Sequence, residues 1–399
     1  MADKGAENNL VLTINVGSSS IKFALFQTTS SPDKISWGAV ENIGQPDASF
    51  TVYDAADDKT VPRQISASDH RAAARVLFDW IAGMQPGRIA AVGHRIVHGG
   101  PVYSESCVID GQVMAGLRKL IVFDPEHLPN EIQLIEDIQE MLPGVLQIAC
   151  FDTAFHHNLP TEARLLPIPR RYEAAGLRRY GFHGLSYAYL MEELKRVAGE
   201  KESRGRVILA HLGNGVSLAA VHNCKVVDTS MGLTPTGGVP MGTRSGDLDP
   251  GLMTYLAQSE SLESEALGNM VAFESGLLGI SETTSDMKKL LEIEHEDTRA
   301  ADAINLFCYQ VKKCIGAYAA ALGGVDTLIF SGGMGENAPK IRARICDGLA
   351  FLGIALDDER NEAGEGIVSP AGSQVVVRMV HTDEAMTIAR EVTKIISDK

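Results

Sequence analysis

Two apolar segments that flank a glycine turn occur twice in this chain, and this repeat constrains the fold more than any other feature. The first copy is Val-Leu-Thr-Ile-Asn-Val-Gly-Ser-Ser-Ser-Ile-Lys-Phe-Ala-Leu-Phe at residues 11–26, and the second occupies residues 207–221. Each copy predicts a two-stranded hairpin, because Val, Ile, Leu and Phe favour strands and glycine permits a tight turn. The turns at Gly17 and Gly213 are separated by about half of the 399 residues. The repeat therefore predicts two domains of related topology.

The first turn also has the composition of a phosphate site. The backbone amides and serine hydroxyls of residues 17–20, with the positive charge of Lys22, can hold phosphate, although the Gly-x-x-x-x-Gly-Lys pattern of a P-loop is absent. An ordinary polar hairpin turn explains the same residues equally well. The hairpin alone leaves both interpretations open.

Length, charge and cysteine spacing restrict the class of protein. A chain of 399 residues is too long for one ordinary core, which supports two domains. The formal net charge of −15 argues against nucleic acid or an anionic membrane as a partner. The sequence shows no secretory signal at residues 1–9, no apolar run of the roughly 18–20 residues that span a bilayer, and no metal-binding spacing among its six cysteines. We expect a cytoplasmic protein with reduced thiols.

Three glycine-rich segments follow or adjoin predicted strands, where ligands bind in α/β proteins. Residues 93–100 contain two histidines and an arginine after a predicted strand at 89–92, which predicts a cationic loop, and residues 178–184 predict a second one. Residues 331–337 follow a strand-like apolar run and precede a helix with Pro339 in its first turn. That arrangement favours a nucleotide site over a plain turn.

Two acids and two arginines complete the inventory. Asp152 and Glu384 are predicted at strand ends without a basic neighbour. Such carboxylates suit Mg²⁺, which binds through one or two carboxylates and phosphate oxygens, although a helix cap or turn also explains Asp152. Arg95 and Arg244 lie in glycine-rich segments. Their guanidinium groups suit a carboxylate or a transferring phosphoryl group, since the donors are bidentate and always charged; a surface loop is the alternative for Arg244.

This inventory predicts a kinase with an anionic acceptor. Phosphoryl transfer depends on positioning and charge neutralisation more than on covalent chemistry. A sugar kinase needs a base and few cations around its acceptor, whereas two arginines and His183 indicate a negatively charged acceptor. A carboxylate is already ionised at pH 7 and requires no base.

At seven segments, in order between residues 10 and 395, the chain resembles the acetate kinase family. The resemblance implies the fold of the acetate and sugar kinase/Hsp70/actin superfamily: α/β, with two duplicated actin-like (ribonuclease H-like) domains and an active-site cleft between them. It also implies an N-terminal domain at 1–152, completed by a C-terminal helix at 385–399, and a nucleotide-binding, dimerising domain at 153–384. The segments are residues 15–22, 93–100, 151–156, 179–184, 211–215, 241–250 and 332–337.

The resemblance implies roles for individual residues as well. Asn15 and Glu384 would bind Mg²⁺, with Mn²⁺ as a substitute, and Asp152 would position metal and water, because an ionised acceptor has no proton to give. His183 and Arg244 would stabilise the phosphoryl group in flight. The phosphates of ATP or ADP would be bound by Ser18, Ser20, Lys22, His211, Leu212, Gly213, Asn214 and Gly215. The adenosine would be bound by Asp286, Met287, Lys288, Gly333, Met334, Gly335, Glu336 and Asn337. Acetate would be bound by Arg95, Val97, His127, Phe182 and Pro235.

The loop around His127 departs from the family pattern. It is one residue shorter than usual, with Glu126 where a pocket leucine often stands and Leu128 as a replacement. Acetate and propionate both stay open as acceptors, since one methylene in such a pocket is worth only about 1–3 kcal/mol.

The predicted reaction is reversible, Mg-dependent, in-line transfer of the γ-phosphoryl group of ATP to acetate by a homodimer. The products are acetyl phosphate and ADP. A propionate or butyrate kinase of the same family is the alternative. A non-catalytic, ATP-gated actin- or Hsp70-like binding protein is a third hypothesis, and the set of arginines and histidine argues against it.

Overall fold

The computed structural model describes residues 9–17, 19–28, 32–55, 62–84, 88–364 and 366–398. The chain forms two compact units. The first is Met1–Ala154 with Asp383–Lys399, and the second is Phe155–Thr382. The changes of unit predicted from the sequence are at residues 152 and 384.

The first unit begins with strands and then alternates strands with helices. Its elements up to residue 151 are β1 (Asn9–Val16), β2 (Ile21–Gln27), β3 (Asp33–Glu41), β4 (Ser49–Asp54), β5 (Arg63–Gln64), α1 (His70–Met84), β6 (Arg88–Ile96), β7 (Cys107–Val108), α2 (Gly111–Leu120), α3 (Leu128–Met141) and β8 (Leu146–Phe151).

These strands form one sheet in the order β5-β4-β3-β2-β1-β6-β8-β7. β1 pairs with β2 in antiparallel and with β6 in parallel, and β6 pairs in parallel with β8. β1 lies in the interior of the sheet. Its sequence is a continuous apolar run because helices cover both faces of such a strand. Leu12 and Ile14 pack in a core with α1 and α3. The first predicted hairpin is therefore the centre of this sheet.

The second unit repeats the alternation of strands and helices, and the last helix, α15, returns to the first unit. The elements are α4 (Thr161–Arg164), α5 (Arg170–Ala174), α6 (Gly184–Ser203), β9 (Arg206–Leu212), β10 (Val216–His222), β11 (Lys225–Thr229), α7 (Pro250–Ser259), α8 (Ser264–Phe273), α9 (Gly276–Ser281), α10 (Met287–Ile293), α11 (Thr298–Leu322), β12 (Thr327–Ser331), α12 (Gly332–Asn337), α13 (Pro339–Cys346), α14 (Asp358–Ala363), β13 (Gly366–Ile367), β14 (Val376–Met379) and α15 (Glu384–Ser397).

The second sheet has the order β11-β10-β9-β12-β14-β13. β9 is antiparallel to β10 and parallel to β12, and β12 is parallel to β14. The strands β3-β2-β1-β6-β8 of the first sheet thus correspond to β11-β10-β9-β12-β14 of the second sheet. Each set has the same spatial order relative to its order along the chain, and the same strand directions. This confirms the α/β class and the duplication that the two hairpins predicted.

Helix α15 packs on the first sheet at a position that requires glycine. A Cβ atom on Gly93 of β6 would lie 2.4 Å from Cγ2 of Ile388 and 2.7 Å from Cγ2 of Val392. Both distances are far below ordinary contact, so only glycine lets the helix approach the strand this closely. None of the helices in the described part of the chain is long and apolar enough to cross a membrane.

The predicted cationic loop at 93–100 is wrong in its first half. β6 continues to Ile96, because it pairs with β1 on one side and β8 on the other. His94 is buried and bonds to Gln147, and burial lowers its pKa to about 4, so it carries no charge near neutral pH. His98 is buried too, and its Nδ1 accepts the Gly100 N–H at 2.9 Å, which requires a neutral ring.

Three further boundaries differ from the prediction. The segment 332–337 is a short helix, α12, and not a glycine loop. Glu384 does not end a strand but begins α15, and α3 begins at Leu128 inside the predicted loop. Helix α11 begins at Thr298 and ends at Leu322, and the side chain of Asp297 caps its first turn. All six cysteines are free.

Candidate active site

Four predicted site residues of the first unit form one hydrogen-bonded cluster. They lie near the carboxyl ends of β1, β6 and β8 and at the start of α15. Arg95 donates through Nε and Nη2 to Oδ2 of Asp152, at 3.1 and 2.6 Å, and through Nη1 to Oδ1 of Asn15 at 3.2 Å. Asn15 donates through Nδ2 to Oε2 of Glu384 at 3.3 Å. Arg95 is the centre of this cluster.

The charge of Arg95 is fixed by its acidic neighbours. Burial disfavours the charged guanidinium, but the carboxylates of Asp152 and Glu384 outweigh this effect and raise its pKa. The Asp152 side chain is fully buried, whereas 15% of the Arg95 side chain is exposed. A permanently charged guanidinium at the edge of a buried carboxylate suits an anionic ligand.

The same cluster provides only oxygen atoms as donors for a metal. Asn15, Asp152 and Glu384 contribute one amide and two carboxylates, the ligand types that Mg²⁺ prefers. Within the described ranges, no group of three His, Cys, Asp or Glu residues is arranged to hold a metal ion. The donor set fits a hard cation that takes its remaining ligands from phosphate or water.

A buried carboxylate supports the segment that follows Arg95. Both carboxylate oxygens of Glu131 accept the Val97 N–H, at 3.2 and 3.3 Å. Burial raises the pKa of Glu131 well above its ordinary value, and the nearby charge of Arg95 opposes this only in part. Val97 itself is buried. Glu131 therefore fixes the backbone of a residue predicted to contact the acyl group.

His127 is held by an aspartate three residues earlier in the chain. Its Nδ1 lies 2.9 Å from Oδ1 of Asp124, and its backbone N–H donates to the same oxygen at 3.3 Å. Asp124 is 2% exposed and His127 precedes α3 directly. Leu128, the expected replacement for the pocket leucine, is fully buried in a core with Ile96 and Leu117.

The turn between β1 and β2 is tight, but Gly17 does not use a left-handed backbone conformation. The Gly17 N–H donates to Ser20 O at 2.8 Å, and a Cβ atom on Gly17 would lie 3.0 Å from the Ser20 hydroxyl. Lys22 is exposed and faces Asn15 across the hairpin. Ser18 lies outside the described residues.

In the second unit, His183 stacks on His211. The ring centroids are 4.3 Å apart and the planes are inclined by 25°. Nδ1 of His183 is 2.9 Å from the hydroxyl of Ser217 in β10, and Nδ1 of His211 is 2.9 Å from the hydroxyl of Ser186 in α6. Both serines are fully buried. In both histidines, therefore, a hydrogen bond between Nδ1 and a buried serine hydroxyl fixes the orientation of the imidazole ring.

Arg244 and His183 meet at the glycine that ends the β9–β10 turn. A Cβ atom on Gly215 would lie 3.1 Å from Nε2 of His183 and 3.6 Å from Nη1 of Arg244. The same Nη1 donates to Pro235 O at 3.5 Å. Gly242, two residues before Arg244, donates its N–H to Asn214 O at 3.2 Å. Two side-chain nitrogen atoms thus converge beside Gly215, which has no side chain of its own.

The two glycine segments of the second unit adjoin each other at the end of β9. A Cβ atom on Gly332, at the start of α12, would lie 2.9 Å from the carbonyl carbon of Leu212. Gly332 has φ of 76°, which favours glycine. A Cβ atom on Gly335 would lie 3.6 Å from the Cβ atom of Leu212, the nearest side-chain atom. Residues 211–215 and 333–337 therefore lie side by side.

Helix α12 binds its own glutamate at its N-terminus. Oε1 of Glu336 accepts the Gly332 N–H at 2.9 Å, the Ser331 hydroxyl at 3.2 Å and the Thr382 N–H at 3.2 Å. Its Oε2 is 2.8 Å from Nδ1 of His381. This carboxylate occupies the Gly332 amide at the start of α12, so α12 suits the nucleoside part of a nucleotide better than its phosphates.

Other predicted residues have structural contacts of their own. Asp286 caps α10 by accepting the Lys288 N–H at 2.9 Å, and Met287 is buried. Asn337 donates through Nδ2 to Gly333 O at 2.9 Å. Phe182 is buried beside His183.

The chain matches the model of the acetokinase family over residues 10–390. It is 41% identical to an acetate kinase of Rhodopseudomonas palustris strain TIE-1 over 97% of this chain and 98% of that protein. The crystal structure of Porphyromonas gingivalis acetate kinase is 36% identical, with a TM-score of 0.86, over 97% of this chain and 100% of that one. A crystal structure of a propionate kinase from Francisella tularensis is 33% identical, with a TM-score of 0.89, over 96% and 98%.

The chain belongs to the acetokinase family. Membership confirms the resemblance carried by the seven segments, and it confirms a kinase, the class that the arginines, acids and glycine turns predicted. The agreement with solved acetokinases extends over nearly the whole chain.

Several residues that shape this acetokinase site were missed by the sequence analysis. Glu131, Asp124 and Ser217 each fix the position of a predicted site residue. Asp383 caps α15 through its bond to the Met386 N–H and forms an ion pair with Lys34 of β3. Ser217 alone offered a signal in the sequence, as a hydroxyl in an otherwise apolar strand.

Proposed function

We propose that this acetokinase transfers the γ-phosphoryl group of ATP to acetate, reversibly and directly in line. The observation that carries the proposal is the convergence of His183 Nε2 and Arg244 Nη1 beside Gly215. Donors fixed at one point, beside a glycine, suit the equatorial oxygens of a phosphoryl group in transfer.

The acceptor is assigned to residues of the first unit. Arg95 provides a charged, bidentate fork for a carboxylate, and Val97 provides an apolar contact for the methyl group. Because acetate is ionised at neutral pH, it needs no base, so Asp152 orients Arg95 and does not remove a proton. His127, held by Asp124, is assigned to the same pocket.

The nucleotide is assigned to residues of the second unit, with α12 on the nucleoside and residues 211–215 on the phosphates. Lys22 and the turn at Ser20, in the first unit, are assigned to the phosphates as well. Asn15 and Glu384, with Asp152 beside them, would hold Mg²⁺, which neutralises phosphate charge when it is bound. The oxygen-only donor set supports that choice of metal and also suits Mn²⁺.

The test is formation of acyl phosphate from acetate, ATP and Mg²⁺, trapped with hydroxylamine. Arg244→Ala removes a donor that acts in the transfer, and we expect kcat to fall by about 100-fold or more. Arg118→Ala, which removes an exposed arginine paired with Glu136 on the surface, is the matched control and is expected to retain activity. Wild-type protein without acyl phosphate formation, or Arg244→Ala within a few-fold of wild type, would refute the proposal.

A propionate kinase is the second candidate, and the TM-score of 0.89 to the Francisella tularensis propionate kinase favours considering it. One methylene changes binding by about 1–3 kcal/mol. Values of kcat/KM for acetate, propionate and butyrate decide between the candidates: a maximum at acetate supports acetate kinase, and a maximum at a longer acid supports the alternative.

We also propose that the protein forms a homodimer in the cytoplasm through the surface of α7 and α8. Helix α7 has no buried residue, yet it carries Leu252 and Tyr255, and α8 ends in the exposed Phe273. Exposed apolar side chains on neighbouring helices are typical of an interface. Light scattering tests this: we expect a dimer for the wild type and a shift towards monomer for Tyr255→Glu, and a wild-type monomer would refute it.

A further inference from the structure

A short chain of hydroxyl groups extends from His183 into the interior of the second unit. Nδ1 of His183 is 2.9 Å from Oγ of Ser217 in β10. The same Oγ bonds to the hydroxyl of Tyr187, one turn further along α6. Ser217 and Tyr187 are both fully buried, and Nε2 of His183 lies on the opposite side of the ring, towards Gly215.

The chemistry of the three groups gives this chain a direction. A serine hydroxyl can donate one hydrogen bond and accept others, whereas a neutral imidazole has one donor and one acceptor nitrogen. Tyrosine, with an ordinary pKa of about 10, is the more acidic of the two hydroxyls and so the stronger donor. When Tyr187 donates to Ser217, the single proton of the Ser217 hydroxyl is left to donate to Nδ1 of His183. Nδ1 is then the acceptor, and the ring proton is on Nε2.

The backbone at His183 shows that its position is over-determined by its surroundings. The residue has φ of 58° and ψ of 26°, in the left-handed region, directly before α6. A residue other than glycine persists in such a conformation where other contacts hold it, and such strain is concentrated at functional sites. The stacked ring of His211 and the hydroxyl of Ser217 are the contacts that hold the imidazole.

We propose that Ser217 and Tyr187 are positioning residues that keep His183 as a neutral imidazole with its proton on Nε2. The inference rests on the proposed function, in which His183 donates to the transferring phosphoryl group. A neutral ring with Nε2–H donates that hydrogen bond without first being protonated, so its contribution does not disappear above pH 6.5. It also avoids a second positive charge beside Arg244.

The groups that face His183 from the surrounding elements agree with this assignment. They are His211 from β9, Ser217 from β10, Tyr187 from α6 and Arg244 from the segment that follows β11. Arg244 is the charged member of this set, and it is positive.

The first experiment determines the tautomer without reference to catalysis. Protein labelled with ¹⁵N-histidine is studied by NMR at pH 8, and the signals of His183 are assigned by their loss in His183→Gln. We expect a protonated Nε2 and an unprotonated, hydrogen-bonded Nδ1. A proton on Nδ1 would overturn the proposal. Because this readout needs no substrate, it separates failure of this inference from failure of the proposed kinase reaction.

The second experiment measures kinetics in Ser217→Ala and Tyr187→Phe. Tyr187→Phe keeps the ring that contacts Phe155 and His156 and removes only the hydroxyl, so it is informative even if Ser217→Ala folds poorly. We expect kcat to fall by roughly tenfold or more in each variant, with both KM values within about twofold, because the donor acts in the transition state. The NMR signal of His183 Nδ1 should shift as well.

The matched control is Ser203→Ala. Ser203 is a buried serine at the far end of α6, and its hydroxyl donates only to Glu200 O among the contacts of the described residues. We expect unchanged kcat and unchanged His183 signals. If kcat in Ser217→Ala and Tyr187→Phe stays within twofold of wild type, or falls no more than in Ser203→Ala, the positioning role is refuted.

Discussion

Arg342 is a fully buried arginine that holds the end of α12, and its removal is the sharpest stability prediction for the second unit. Its Nη1 donates to the carbonyl groups of Gly335 and Glu336, both at 2.9 Å. Its Nε donates to Oδ1 of Asn361 at 2.8 Å, and Nη2 donates to the Asn361 carbonyl. The guanidinium thus joins the carbonyl end of α12 to α14.

In Arg342→Met, these four acceptors lose their donor in a site that water does not reach. A buried acceptor without a partner costs about 1–3 kcal/mol. Burial of the guanidinium is itself unfavourable, as the lowered pKa of Arg342 shows, and the variant escapes that cost. At the low end of that range the four acceptors together cost about 4 kcal/mol. The escaped burial cost offsets part of this, so we expect a net loss of about 3 kcal/mol in the free energy of unfolding. For a unit of this size that corresponds to roughly 6–12 °C in Tm.

Arg360→Met is the matched control for this change. Arg360 is an exposed arginine next to Asn361, and its Nη1 donates to Ser369 O at 3.2 Å. Loss of this one partly buried hydrogen bond is expected to cost about 0.5–1.5 kcal/mol. Thermal unfolding followed by circular dichroism, or calorimetry, measures both variants.

Steady-state kinetics add a functional readout for Arg342→Met. Since Arg342 holds α12, which is assigned to the nucleoside, we expect the KM for ATP to rise while the KM for acetate is unchanged. A Tm within 2 °C of that of Arg360→Met would refute the assigned stability role. An equal rise in both KM values would refute the specific role at α12.

Three further predictions concern the first unit. Gly93→Ala forces a Cβ atom into Ile388 and should cost about 1–3 kcal/mol by urea unfolding; Ile388→Ala should restore part of it. His94 has its pKa lowered from 6.5 to about 4 by burial, so its contribution to stability is complete above pH 6.5 and declines as the pH falls towards 4; His94→Gln should flatten that part of the stability–pH curve. Asp124→Ala frees His127 and should raise the KM for acetate several-fold without changing that for ATP.

The repeated hairpin and the strand before Asp152 could be predicted because their signals are local. Apolar alternation or a run of apolar residues indicates burial wherever the segment lies in the fold. The extent of β6 could not be predicted in this way. It continues through Arg95 because β1 and β8 lie on either side of it, and both partners are distant in sequence.

The site residues divide in the same way, into those with a local signal in the sequence and those that act on residues distant in the chain. Arg95 and Arg244 were predicted as site residues from their charge and their glycine-rich segments, and Asp152 was predicted from its place at a strand end. Glu131 and Ser217 were not, because each acts on a residue more than 30 positions away. A buried glutamate in an amphipathic helix looks like a residue of the solvent-facing side until the fold places Val97 against it.

Gly93 and Arg95 connect the packing of the first unit to its chemistry. They are two residues apart in β6, so both face the same side of the sheet. At Gly93 the strand has no side chain, and Ile388 and Val392 of α15 pack directly against the backbone. This close approach brings the first residue of the helix, Glu384, within 3.9 Å of Arg95. The distance between helix and strand therefore sets the distance between carboxylate and guanidinium, and a larger residue at position 93 would move the acidic group as well as weaken the core.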